Sequence, residues 1–176
     1  MPNFKTITSG VAAAVISATM AMAGGDAVPP GDDGFTKVGE VEGWGLFVDN
    51  QRKTCMIERM DEAENIVQMG LTADREFGYL GVFTKADIGI RKGKKEKIYI
   101  DIDGTLYWSE STGMKGNITE GYSGGYILAN NPQFINDVAN KYTMTVFPRK
   151  QSAFVVDLAG TKKAIAAARE CTEEQS

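Results

Sequence analysis

Histidine is absent from all 176 residues. Its absence removes the commonest general base, the Ser-His and Cys-His nucleophile pairs and the commonest transition-metal ligand. Catalysis would have to run on carboxylates, lysine, tyrosine or an oxygen-bound metal, and neither a cofactor nor a resident metal is expected. Cysteine occurs only as Cys55 and Cys171. Without a Cys-x-x-Cys, a zinc ribbon and a dithiol redox motif are both poor readings. Positive charge is in deficit, with 19 Lys and Arg against 23 Asp and Glu and a net charge of −4. Phosphate neutralisation needs a basic surface, so a nucleic-acid partner is not expected. Beyond residue 23 no apolar run is long enough to span a bilayer.

The apolar run that does exist lies at the N-terminus. Lys5 is the only charge before the small, apolar stretch Val11–Met22, and Ala21-Met22-Ala23 supplies a small-x-small cleavage signal. Residues 1–23 read as a secretory signal peptide cut after Ala23, and the mature chain is expected in the periplasm or secreted. Loss of Lys5 moves the net charge from −4 to about −5. In an oxidising compartment Cys55 and Cys171 are expected to form a disulfide, closing a loop of more than a hundred residues.

Residues 24–42 (GGDAVPPGDDGFTKVGEVE) are rich in Gly, Pro and Asp and read as a flexible leader. Asp26, Asp32 and Asp33 there lack the spaced oxygen ligands of a calcium loop. From residue 43 to 176 the chain reads as a single domain. Short extended segments alternate with turn signals, the pattern of a mainly β, antiparallel sandwich or barrel-like domain. The candidates are 44–49, 54–60, 66–72, 79–85, 97–103, 105–109, 126–128, 143–148 and 152–158. Two helices interrupt them. Asn131-Pro132 supplies a cap and a first-turn proline for a helix carrying Phe134, Ile135 and Val138 on one face. The last helix opens at Thr161 and aligns Ala164, Ala167, Ala168 and Cys171. Its charges oppose the macrodipole, Lys162 and Lys163 standing early and Glu173 and Glu174 late, so it needs tertiary anchoring.

One stretch invites a catalytic reading. Residues 98–107, IYIDIDGTLY, contain DIDGTL, which resembles the nucleophile motif of the haloacid dehalogenase phosphotransferases. That resemblance implies a magnesium-dependent phosphohydrolase with Asp101 as nucleophile and Asp103 as acid/base, at the end of a parallel strand. The glycine-rich YWSESTGMKGNITEGYSGGY that follows supplies no helix for a βαβ unit. The favoured reading is a hairpin: Ile98, Ile100 and Ile102 on one face, Tyr99 and Asp101 on the other, and Asp103-Gly104 as the turn. In GYSGG, residues 121–125, a turn or bulge is expected. Asn117-Ile118-Thr119 is a glycosylation sequon in form only. Tyr107, Trp108, Tyr122 and Tyr126 form a candidate binding surface, with core packing as the alternative. Lys94 and Lys95, in the cluster RKGKKEK, are candidate contacts for anionic envelope lipid or glycan.

The order of the chain resembles a known family. A TrpGlyLeuPheVal segment at 44–48 precedes a Cys-bearing strand. Later come a DG-type turn, a glycine-containing loop, the helix FINDVANKY, the strands YTMTVF and FVVDL, and LAGTKKAIAAARECTEE. This layout is similar to the invasion-associated locus B family of exported alphaproteobacterial proteins. The resemblance implies a periplasmic or surface-associated β-sandwich without enzymatic chemistry, whose partner is a protein or envelope component. The chain departs from the family pattern in STGMKGNITEGYSGG, where the family carries a cysteine pair and this chain has none.

Overall fold

A computed structural model describes residues 34–115 and 118–175. The signal-peptide reading, the first part of the leader and Asn117 of the sequon lie outside the described residues. Eleven strands and two helices follow in order. They are β1 (Phe35–Val41), β2 (Trp44–Asp49), β3 (Thr54–Met60), β4 (Ile66–Leu71), β5 (Gly78–Thr84), β6 (Lys95–Ile102) and β7 (Thr105–Thr112). Then come β8 (Met114–Lys115), β9 (Ser123–Ala129), α1 (Pro132–Asn140), β10 (Thr143–Val146), β11 (Phe154–Asp157) and α2 (Thr161–Glu174).

The strands make two antiparallel sheets, one of seven strands in the order β1-β2-β3-β4-β5-β9-β8 and one of four in the order β11-β10-β6-β7. They stack as a sandwich and do not close into a barrel. Alternation explains the stacking. Along β6, Ile98, Ile100 and Ile102 are buried while Lys97, Tyr99 and Asp101 point away. The isoleucines meet Met144, Val146 and Val156 of their own sheet and Ile57, Val67 and Val82 of the other in one core. Each isoleucine buried this way contributes about 1.5–3 kcal/mol. The sheets come into close contact where Gly125 of β9 faces Ser111 of β7. A Cβ on Gly125 would stand 2.4 Å from the serine Oγ, so a larger residue there would force the buried Ser111 side chain to move.

Both helices cover the end of this core. Asn131 caps α1, its side chain accepting from the backbone N–H groups of Gln133 and Phe134, and Pro132 opens the first turn. At the start of α2, Gly160 (φ 77°) offers no side-chain cap. The helix is fastened instead near its other end. Cys171 is bonded to Cys55 of β3, with 5.8 Å between their Cα atoms, and the Cys55 backbone N–H donates to Thr172 Oγ1 at 2.8 Å.

Several boundaries differ from the sequence reading for physical reasons. Residues 35–41 are not leader but the edge strand β1, paired to β2 with a register shift between Lys37 and Gly39. That bulge breaks the alternation and leaves Val38 exposed, so the segment shows no period of two. In GYSGG only Gly121, at φ 88°, belongs to a turn; Ser123, Gly124 and Gly125 are already β9. The basic cluster also gives its last residues to a strand, since β6 begins at Lys95.

Candidate functional site

DIDGTL is a hairpin tip. β6 runs antiparallel to β7 on one side and to β10 on the other, whereas a phosphotransferase nucleophile needs the end of a parallel strand. Asp103 (φ 45°) and Gly104 (φ 87°) form the two-residue turn in left-handed conformations. Asp101 Oδ1 accepts from the Gly104 backbone N–H at 2.9 Å, closing the turn from within. The Asp103 carboxylate reaches sideways, accepting from the backbone N–H groups of Tyr142 and Thr143 at 2.9 and 3.1 Å and from Thr143 Oγ1 at 2.7 Å. The Tyr142 backbone bond first, and then the Thr143 hydroxyl, hold the Asp103 carboxyl below its ordinary range. Both aspartates act as acceptors for local structure. Among the described residues no group of three or more Cys, Asp or Glu side chains is arranged to hold a metal.

The proposed aromatic surface separates into three places. Tyr107 faces inward, its hydroxyl donating to Asp137 of α1 at 2.7 Å and its ring standing edge-on to Phe134. Burial first, and then the Asp137 bond, push this phenol up to about 12. Tyr122 is buried with Ile66, Phe83 and Ile118. Tyr126 lies on the far face of the seven-stranded sheet, where its hydroxyl donates to Gln68 Oε1 at 2.6 Å and its ring meets Tyr79 and Phe83 edge-on. Only Trp108 stays on an open surface, 55% exposed. Lys94 sits in the turn before β6, and Lys95 is the first residue of the strand, both exposed.

Register assembles a different group around Trp108, on the outward face of the four-stranded sheet. Tyr99 stands opposite Trp108, and Asp101 opposite Leu106; Thr145 stands opposite Asp101 and Val155. Leu106 and Val155 are 43% and 60% exposed. Each aromatic ring carries a cation: Lys97 Nζ lies 4.3 Å from the Trp108 ring centre and the Arg149 guanidinium 3.9 Å from that of Tyr99. Lys95 continues the row along β6. Three carboxylates share the face, Asp101 held by the Gly104 N–H, Glu110 opposite Lys97, and Asp157, which alternates with Val155 along β11 and accepts from the Ala159 N–H. In the adjoining turn Arg91 is paired to Glu96 at 3.1 Å, and Lys92 and Lys94 are exposed.

The sequence pointed to part of this face, since the alternation in β6 places Tyr99 beside Asp101. It could not supply Leu106 or Val155, whose positions cross-strand register decides, or Arg149, which the loop between β10 and β11 lays over Tyr99. The result is an exposed surface on which two cation-capped rings stand near Leu106 and Val155, with carboxylates among them. No family model, no curated protein and no solved structure matches the chain.

Proposed function

We propose that this chain is an exported, non-catalytic envelope protein, similar in kind to the invasion-associated locus B proteins. It acts by docking on an anionic lipid surface. The observation that carries this reading is the outward face of the four-stranded sheet, where Lys97 over Trp108 and Arg149 over Tyr99 stand beside the exposed Leu106 and Val155. At a membrane interface aromatic rings settle at headgroup depth, aliphatic side chains enter the acyl boundary and long cations reach the phosphates. The carboxylates of this face stand apart from the rings, so the two cations held over aromatic rings are the groups that would meet lipid phosphates. The disulfide supports export, because such bonds persist in oxidising compartments.

Sedimentation of the mature chain with anionic and with neutral vesicles tests the reading. Competition by a soluble acidic polysaccharide at matched charge would favour glycan as the partner. The phosphohydrolase alternative would regain ground if the pure protein hydrolysed a phosphomonoester with magnesium and Asp101→Asn abolished that activity.

A further inference from the structure

A second candidate site lies in the gap that α1 and α2 leave over the seven-stranded sheet, and it does not rest on the membrane reading. Each helix is fastened to a different strand, and two of the anchoring residues, Phe134 and Cys55, border the gap. On one side α1 is tied to β7 through Tyr107 and Asp137 and through the edge-on contact of Tyr107 with Phe134. On the other, α2 is tied to β3 by the Cys55–Cys171 bond and by the Cys55 N–H donating to Thr172. The two helices are thus held to different strands on either side of this space.

What remains is a hollow of about 90 Å³ whose apolar walls include Met69, Leu80, Phe134, Val138, Ile165 and Ala168. An apolar space of this kind does not suit water, which needs two to four polar partners. Engineered apolar cavities of about 150 Å³ take up benzene. A smaller one suits a narrower group, such as the end of an alkyl chain.

The mouth gives the hollow its chemistry. Arg169 is the only charged residue in the lining. It is exposed and makes no hydrogen bond or ion pair among the described residues. Its guanidinium is the shape that holds a carboxylate through two parallel bonds. Outside it the site widens into a groove with the exposed Phe77 on one side and Arg75, Glu76 and Glu173 among its lining. Arg75 lines only the groove and donates to the Lys53 carbonyl, so Arg169 is the cation that groove and hollow share, and the two carboxylates disfavour a polyanion there.

We propose that this hollow binds the alkyl end of a single-chain monoanionic amphiphile, a medium-chain carboxylate, with its head held by Arg169. None of the residues that form it belongs to the outward face of the four-stranded sheet.

Decanoate is the probe, titrated into the intact, disulfide-bonded mature chain and followed by the methyl resonances of Met69 and Val138. Saturable shifts are expected, with decyltrimethylammonium, the same chain with a cationic head, at least about tenfold weaker. Arg169→Gln should weaken decanoate by about tenfold, the loss of roughly 1.4 kcal/mol, without changing the melting temperature. Ala168→Met should fill the hollow and abolish binding while the protein stays folded. If that variant does not fold, Ala129→Leu at the rim reports the same loss. No saturable shift in the millimolar range, equal binding of both amphiphiles, or unchanged binding by Arg169→Gln would overturn the proposal.

Discussion

Asp103 and Thr143 are forty residues apart in the chain, yet Asp103 binds Thr143 with both its backbone and its side chain. The Asp103 N–H donates to the Thr143 carbonyl at 3.3 Å, while its carboxylate accepts from the Thr143 N–H and hydroxyl. The aspartate that looks like a catalytic acid therefore stitches the β6–β7 turn to the start of β10.

The lowered carboxyl of Asp103 gives this stitch a pH signature. Its contribution to stability is fully present above the unfolded carboxylate value and is lost as pH falls through the lower folded one. Asp103→Asn should reduce the melting temperature near neutral pH. Asp101→Asn, which keeps the acceptor oxygen for Gly104, should change it little. The gap between the two variants should close as the solution is acidified, and a gap that persists in acid would argue against the carboxylate.

Gly104 gives a cleaner test of the turn. At φ 87°, with nothing within 4 Å of an added Cβ, substitution there meets only backbone strain. Gly104→Ala should cost about 1–2 kcal/mol in denaturant unfolding, and Gly104→Asn less, because Asn tolerates the left-handed region.

The disulfide should matter more than any single contact. Its 116-residue separation places it at about 4–5 kcal/mol in the chain-entropy account. Cys55→Ser with Cys171→Ser should lower stability on that scale. Amide exchange should show protection lost first in α2, whose terminal charges oppose its dipole and whose first turn lacks a side-chain cap. Uniform loss across both sheets would mean that the bridge supports the whole sandwich equally.

Tyr107→Phe removes the hydroxyl from the buried carboxylate of Asp137. Stability should fall by about 1.5–3 kcal/mol, the range for a hydrogen bond to a charged group. With the phenol raised to about 12, the wild-type bond is intact below about pH 10, the usual tyrosine value, and is lost as pH rises through 12. The difference between the two proteins should shrink over that alkaline interval in unfolding curves.

Local rules made much of this fold legible. The β6–β7 hairpin followed from three alternating isoleucines and an Asp-Gly pair, α1 from Asn131-Pro132, and the Cys55–Cys171 bond from two cysteines behind a leader-like N-terminus. β1 was hidden because its bulge destroys the alternation by which strands are read. The face around Trp108 was half legible. Period two could place Tyr99 on the polar side, but only pairing puts Leu106 and Val155 on the same face, and only the β10–β11 loop brings Arg149 over the ring. Tyr107 and Tyr126 show the converse: a tyrosine in a glycine-rich neighbourhood looks like a contact surface until register turns it toward Asp137 or Gln68. The hollow beneath α1 and α2 had no local signature, since the anchoring of the helices to separate strands creates it.

The cation-capped aromatic face carries the proposed membrane role. The decisive measurement is vesicle sedimentation of the mature protein against a Lys97→Gln/Arg149→Gln variant of equal melting temperature. Phosphatidylglycerol vesicles should bind the parent protein and phosphatidylcholine vesicles should not. The double variant should lose about tenfold to thirtyfold in affinity, at roughly 1 kcal/mol per cation near the surface, and Trp108→Ser should lose a comparable share. Equal binding to both lipids, or a double variant that binds as the parent does, would contradict the account.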